Sequence, residues 1–490
     1  MNTKKLLLVL GVLTLLFFSC ELTDEDIFDK INKDDLPTDP AYGDFWAQNL
    51  RNDNFYRVEA GGAPLYTGAY CEIWAENGSG VDLETAKKFA KEYDENIYDK
   101  MIYYFSFEDN LKDESGEVVA TNVMEYASWL VDGNGKLTIL LLDIQDDYEP
   151  KVNESYCAGY FWPGNFLSKT TAANSNERDM IYIDTKPGLN NLSNAYSTLA
   201  HEMQHLMNFA STNLIRDNLM DTWIDEGLSS AAEWVYRGAH LEDRWNWFND
   251  DQSGLIKKGN NFFVWGNRED ENMYAVLDDY ATVYLFFQWL RLQTNDAIYY
   301  YIITSDYYDN LAVLDSIAGY SSWDALLQTW MAANYINAPK GSNQKYGYMD
   351  DPTLKQVKAN TVPTGLLSLM LAPGEGVYSI TKNAPSFTGQ GTNIRNAFLN
   401  KNTAQVNTST FYPDGALLTY NVNTKENGAP ELGITTGVAA SIDTAPSAKA
   451  LVPLSGPYAV SAGDVLRRNG YKRNPRLDFS KLNKGIVFRE

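Results

Sequence analysis

TLAHEMQHLMNF, Thr198 to Phe209, contains two of the three histidines of a 490-residue chain. His201 and His205 stand four residues apart, with Glu202 directly after the first. On an α-helix, residues i and i+4 project from one face, so both imidazoles can reach one point. On a strand they would lie about 13 Å apart, at ~3.3 Å per residue. The local sequence supports the helix: Leu199, Met203, Leu206 and Phe209 form an apolar stripe with no Pro or Gly among them. The pattern is H-E-x-x-H, whose two histidines suit a shared zinc ion. Glu202 lies about 100° around the helix from His201, which puts it beside such an ion and not among its ligands. With histidine this scarce, chance would spell the pattern on the order of once in a thousand such chains. The competing reading is a solvated helix that carries a histidine pair.

A catalytic zinc takes a third protein ligand and keeps one position open. No third histidine follows at close spacing. His240 is 35 residues beyond His205 and reads as a surface residue past a second helix. That second helix is TWIDEGLSSAAEWVY, Thr222 to Tyr236, apolar at Trp223, Ile224, Leu228, Ala231, Ala232 and Val235 and so able to pack against the first. Glu226, in its N-terminal turn, is the candidate third ligand, with Asp225 the adjacent competitor. Without a metal, Glu226 would read as a first-turn glutamate favoured by the helix dipole.

Working outward, residues 46–195 alternate strand and helix signals. Leu65–Glu76 has strand composition, and Asp82 is an N-cap candidate for a helix marked by Leu83, Ala86, Phe89, Ala90, Tyr93 and Ile97. Met124–Val131 reads as a short helix, Asp132–Lys136 as a turn, and the apolar run Leu137–Ile144 as a central strand. Met180–Thr185 is a further strand, either an edge able to pair with an extended peptide or an internal strand. Residues 196–345 are mainly helical, with further helices near Asp279–Thr294 and Trp323–Tyr335. From 346 to 490, short runs such as GVYSIT, ALLTYNV and SGPYAV between Pro and Gly predict a C-terminal β-domain of sandwich type. The fold class is therefore α+β. The C-terminal domain is a candidate binding module for substrate, glycan or a partner protein.

The N-terminus carries Lys4 and Lys5, then the apolar run Leu6–Phe18, then FFSC. This is a signal segment, too short for an ordinary membrane span. Ser19-Cys20 resembles the lipobox of bacterial lipoproteins, which implies a signal peptide over 1–19, a lipid on Cys20, and export to the cell envelope or surface. Residues 20–45 read as an acidic tether. The formal net charge of −24 argues against nucleic acid as a partner, because phosphate binding needs clustered Lys and Arg. The one basic stretch, Leu466–Arg476, reads as a solvated loop. Cys71 and Cys157 read equally as a disulfide or as two buried thiols. The acidic stretches Asp143–Asp147 and Ser305–Asn310 lack the EF-hand pattern and read as solvated loops, with Ca²⁺ binding the alternative.

HEMQH followed by WIDEGLSSAAE resembles the gluzincins and, within them, the hyicolysin-like neutral metalloprotease family. The resemblance runs from about Leu65 to Tyr335. It includes LTILLLDI, then AGYFWPGNF (Ala158–Phe166), then DMIYIDT ahead of the histidine helix. It implies a zinc peptidase with a mixed sheet and a mainly helical lobe. The implied ligands are His201, His205 and Glu226, not Asp225, and Glu202 is the implied general base. The EGLSSAAE stretch is also similar to a segment of gluzincin aminopeptidases. However, the G-x-M-E-N element with which those enzymes hold a free peptide N-terminus is absent, which favours an endopeptidase. The resemblance further implies an oxyanion donor on the helix Asp278–Leu290. Tyr280 is at the matching position and Tyr284, one turn on, is the alternate. A surface-binding lipoprotein without activity is the rival reading. It would be expected to lack a ligand or the base, and this chain has all four residues.

Overall fold

The computed structural model describes residues 43–424 and Leu477–Asp478, apart from 53, 107–110, 113–116, 154–155, 217–218, 260–261, 267, 269–270, 273, 340–341, 349–350, 352, 355, 363–367, 381–385 and 390–392. The signal segment, Cys20, the tether up to residue 42, SGPYAV and Leu466–Arg476 lie outside the described residues. Among those described, no helix is long and apolar enough to cross a membrane. The chain forms two compact units, one built on residues up to 220 and one on residues from 238, with the helix between them contributing to both.

The first unit opens with a hairpin, β1 (Asp44–Asn49) and β2 (Asn54–Glu59). The stretch of strand composition over 65–76 forms a second hairpin, β3 (Tyr66–Thr67) and β4 (Cys71–Ala75). Its turn is made by distant partners. The Asp94 carboxylate accepts from the Ala69 and Tyr70 amides (2.6 and 2.9 Å), and Lys136 Nζ donates to the Gly68 and Ala69 carbonyls (2.8 and 2.7 Å). Helix α1 (Leu83–Glu92) starts where expected, with Asp82 accepting from the Thr85 amide at 2.8 Å. It runs through a π turn, Tyr93–Ile97, into α2 (Tyr98–Phe105). A small hairpin, β5 (Leu111–Lys112) and β6 (Val118–Ala120), leads to α3 (Val123–Val131), capped by Asn122.

The main sheet is completed by β7 (Leu137–Leu142), β8 (Gly159–Phe161) and β9 (Met180–Asp184), in the order β3-β4-β7-β9-β8. Strands β4, β7 and β9 are parallel, and the two outer strands are antiparallel. β7 is central and wholly buried, which is why it reads as an unbroken apolar run. One face packs Trp74, Leu140, Leu142, Tyr160 and Tyr182 against Phe45, Ala47 and Val58 of the first hairpin. On the alternate positions Ile139, Leu141, Ile181 and Ile183 are fully buried. Helix α4 (Leu192–Phe209) lies along β8 and β9. Gly159 permits that approach, since a Cβ there would stand 2.9 Å from Thr198 Cγ2 and 2.8 Å from the Tyr182 carbonyl.

Helix α5 (Thr222–Arg237) follows, and then the second unit's α6 (Glu242–Asp250) and α7 (Val276–Gln293). Every residue of α7 is buried. Next come α8 (Ile298–Ile303), α9 (Leu311–Ser316), β10 (Ile317–Ala318) and α10 (Trp323–Ile336). The C-terminal strands are β11 (Ser368–Leu371), β12 (Gly376–Ser379), β13 (Ser386–Gly389), β14 (Ile394–Asn400), β15 (Gln405–Asn407) and β16 (Ala416–Asn421). Four of them form an antiparallel sheet in the order β12-β16-β14-β15, while β11 and β13 pair in parallel. This sheet packs on α10: the Tyr378 hydroxyl donates to the Met331 carbonyl (2.8 Å) and the Tyr420 hydroxyl to Asp324 (2.7 Å). The α+β class is the one expected from sequence, and the C-terminal strands rest on a helix of their own unit.

Candidate metal centre

The turn from β9 into α4 is built around a buried carboxyl. Asp184 accepts from the Ile144 amide (3.1 Å) and the Gly188 amide (2.8 Å), and burial pushes its pKa up to about 7. From Ser197 to Phe209 every residue of α4 is buried, which excludes the solvated helix. The stripe of Leu199, Met203, Leu206 and Phe209 packs inward, and Phe209 meets Phe161 and Phe166 at 5.7 Å each. His201, Glu202 and His205 are 2%, 0% and 3% exposed, and the two imidazoles stand 4.8 Å apart at 70°.

Helix α5 is fixed at its start by Trp223. The indole donates to Asn310 Oδ1 at 2.7 Å and packs among Phe262, Phe263, Phe286 and Trp323, while the Asp221 amide donates to the Tyr308 carbonyl at 2.9 Å. Gly227 lets Phe287 of α7 lie flush on the helix, since a Cβ there would stand 2.3 Å from the ring. Gly238 ends the helix in the left-handed conformation, with φ +61°. Glu226 is the fifth residue of α5, one place later than a first-turn acid. Asp225 holds the first-turn position and is half-buried, whereas Glu226 is buried.

His201, His205 and Glu226 come together. Each offers one ligand atom, and these atoms lie within 4.8 Å of one another. A tetrahedral zinc with ligand distances of about 2.0–2.1 Å would separate its donors by roughly 3.3 Å. Side-chain closure of about an ångström therefore brings this set into range. Two imidazoles and one carboxylate, all buried, are the donor types of an open zinc site. The donor set fits the ion. Among the described residues it is the one group of three or more His, Cys, Asp or Glu side chains that converges in this way. In the Asp143–Asp147 stretch, Asp146 instead accepts from the Cys157 and Tyr148 amides, and Asp143 pairs with Lys186 at 2.9 Å.

His240 is not the surface residue expected from its place after a helix. It is 7% exposed, its Nδ1 is 2.6 Å from the Tyr284 hydroxyl, and its Nε2 is 3.1 Å from Asp351. The Tyr284 hydroxyl also accepts from the Leu241 amide at 3.1 Å, so its own proton is left for His240. Burial would raise the Asp351 carboxyl, but hydrogen bonds from His240 and Thr353 hold it well below the usual carboxylate range. Tyr284 is thus committed to a structural network. Tyr280 is also buried, edge-on to Trp265 at 4.9 Å, with the Arg244 guanidinium 4.6 Å over its ring. Arg244 in turn stands 3.5 Å from Glu233, which is seven residues after Glu226 and so on its face of α5. That spacing was the one sequence signal for Glu233. Nothing near Arg244 in the sequence marked it.

Two further expectations are settled by the sheet. Met180–Asp184 is not an edge strand, because β9 is paired on both sides, to β7 and β8. The three-residue β8 is the outer strand. Cys71 and Cys157 are both buried free thiols, in or near strands at different places in the sheet.

No protein-family model matches the chain. The chain is similar to the neutral metalloprotease ShpI of Staphylococcus hyicus, 32% identical over 261 residues, or 51% of this chain and 51% of that protein. The chain therefore spans about half the length of the curated relative it matches.

Proposed function

We propose that this chain is a zinc-dependent peptidase that cleaves internal peptide bonds of extracellular or surface proteins. The observation that carries the reading is the convergence of His201, His205 and Glu226 on a buried point, with Glu202 beside His201 on the same helix. The likeness to a neutral metalloprotease supports it.

When bound, zinc supplies Lewis acidity, which makes water a usable nucleophile near neutral pH and attracts the charge of a developing oxyanion. The rest belongs to this chain's side chains. His201, His205 and Glu226 would hold the ion and leave one position open. Glu202 takes the proton of the attacking water and delivers it to the leaving amine. Tyr280 donates a hydrogen bond to the oxyanion, with Arg244 over its ring favouring that donation. The buried setting strengthens each of these interactions.

We place an extended substrate on the outer edge of β8, where backbone groups alone are offered because its three residues are buried. The Ala158 carbonyl accepts from the Asp184 amide at 3.0 Å, so the register turns the backbone groups of Gly159 and Phe161 away from β9. Pairing along that outer edge needs no free peptide terminus, which favours an endopeptidase over an aminopeptidase. We further propose that the chain is exported and lipid-anchored through Cys20, on the strength of the FFSC stretch. Fatty-acid labelling of the intact chain, lost in Cys20→Ser, tests that part. The metal reading is tested by zinc analysis of the purified chain. One zinc per chain is expected, with loss of the metal in His201→Ala. A parent chain that takes up no zinc would overturn the reading.

A further inference from the structure

The last turn of α5 is held far more firmly than the end of a helix requires. Arg237 Nε donates to Ser197 Oγ at 2.7 Å, and its Nη2 donates to Asn194 Oδ1 at 3.3 Å. The Tyr236 hydroxyl donates to Glu92 Oε1 at 2.9 Å, and Lys100 Nζ donates to the Tyr236 carbonyl at 3.0 Å. One helical turn is thus tied to α1, α2 and α4 at once.

Helical periodicity gives these contacts a direction. Asn194, Ser197, His201 and His205 follow one another at three or four residues and line one stripe of α4. Arg237 is eleven residues after Glu226, close to three full turns, so both project from one stripe of α5. Ser197 is one turn before the first histidine, while Arg237 is about 16 Å along its axis from Glu226. The stripe of α5 that delivers Glu226 to the two histidines therefore meets the same stripe of α4 again at Arg237. Two such points define the register of one helix on the other. Trp223 and Phe287 seat the first turns of α5 on its own unit, and Arg237 ties its last turn to α4; a shift of an ångström at Glu226 is enough to spoil a coordination sphere. Arg237 suits this task because its planar fork spans two acceptors three residues apart, which a lysine ammonium cannot do.

We propose that Arg237, acting on Ser197 and Asn194, is a positioning residue that sets the register of Glu226 against His201 and His205, and so sets zinc affinity. This rests on the metal reading above. The test is a zinc titration of the full chain against a competing chelator, without any assay of activity. Arg237→Met, which acts on Glu226 only through the seating of α5, is expected to weaken zinc binding about tenfold. Arg237→Lys should fall between parent and Arg237→Met. Ser197→Ala removes the acceptor with little risk to folding, and should weaken binding in the same sense.

The coupling must run through Glu226. In a Glu226→Ala background, Arg237→Met is expected to leave the remaining zinc affinity within about twofold. A merely structural role would lower thermal stability and leave the affinities alone. If the parent binds one zinc and both Arg237→Met and Ser197→Ala bind it as tightly, the proposal is overturned. It is also overturned if Arg237→Met costs the same with and without Glu226. A parent that binds no zinc overturns the metal reading and this inference with it, and is told apart by that first titration.

Discussion

At the scale of single residues, Glu202 and the buried Asp184 and Asp278 carry separable expectations. Glu202 is fully buried beside His201 and stands outside the group His201, His205 and Glu226. Glu202→Gln is therefore expected to keep its zinc and lose about 10²–10⁴-fold in kcat, measured together with metal content on one preparation. Retained activity, or loss of the metal, would remove Glu202 from the role of base. Burial pushes the carboxyls of Asp184 and Asp278 up to about 7. Their folded pKa lies above the unfolded value of about 3.9, so the folded chain binds these protons more tightly. The stability they contribute is complete below about pH 4 and is lost as pH rises through about 7. In metal-free protein, Tm is expected to fall from about pH 4.5 to 8, and Asp278→Asn to flatten part of the slope. The amide keeps an acceptor for the Trp247 indole, which donates to Asp278 at 2.7 Å. An unchanged slope in that variant would contradict the assignment.

At the scale of elements, the site depends on how two helices are seated. Gly227 follows Glu226 and faces the Phe287 ring of α7 at a distance with no room for a methyl group. Gly227→Ala is expected to cost about 1–3 kcal/mol of stability. It should also weaken zinc binding, since α5 must move off α7 with Glu226 on it. Chemical unfolding and zinc titration of this variant check both effects, and an unchanged zinc affinity would separate Glu226 from that packing. The helices themselves were legible in sequence because their signals are local. HEMQH has helical spacing, and Asp82 caps α1. What was misread depended on partners far along the chain. Met180–Asp184 is internal because β8 closes over it, and a three-residue strand has no periodicity to announce itself. His240 is buried because Tyr284 and Asp351 converge on it, 44 and 111 residues away.

At the scale of the molecule, each unit is described by its own core. In the first, the mixed sheet supports α4, which carries His201, Glu202 and His205, and in the second α7, buried throughout, carries Tyr280. The C-terminal sheet packs on α10, and buried Glu375 receives both arms of Arg268, at 2.6 and 2.7 Å, which binds it into its unit. The central claim, a zinc-dependent endopeptidase, is tested most directly by one digestion. A peptide library derived from a mixed proteome is incubated with the full chain and read by mass spectrometry, with chelator and with zinc restored. The account predicts new termini inside the peptides, abolished by chelator, recovered with zinc and absent with Glu202→Gln. Cleavage that ignores the chelator, removal of terminal residues alone, or no cleavage by a chain carrying its zinc would contradict it.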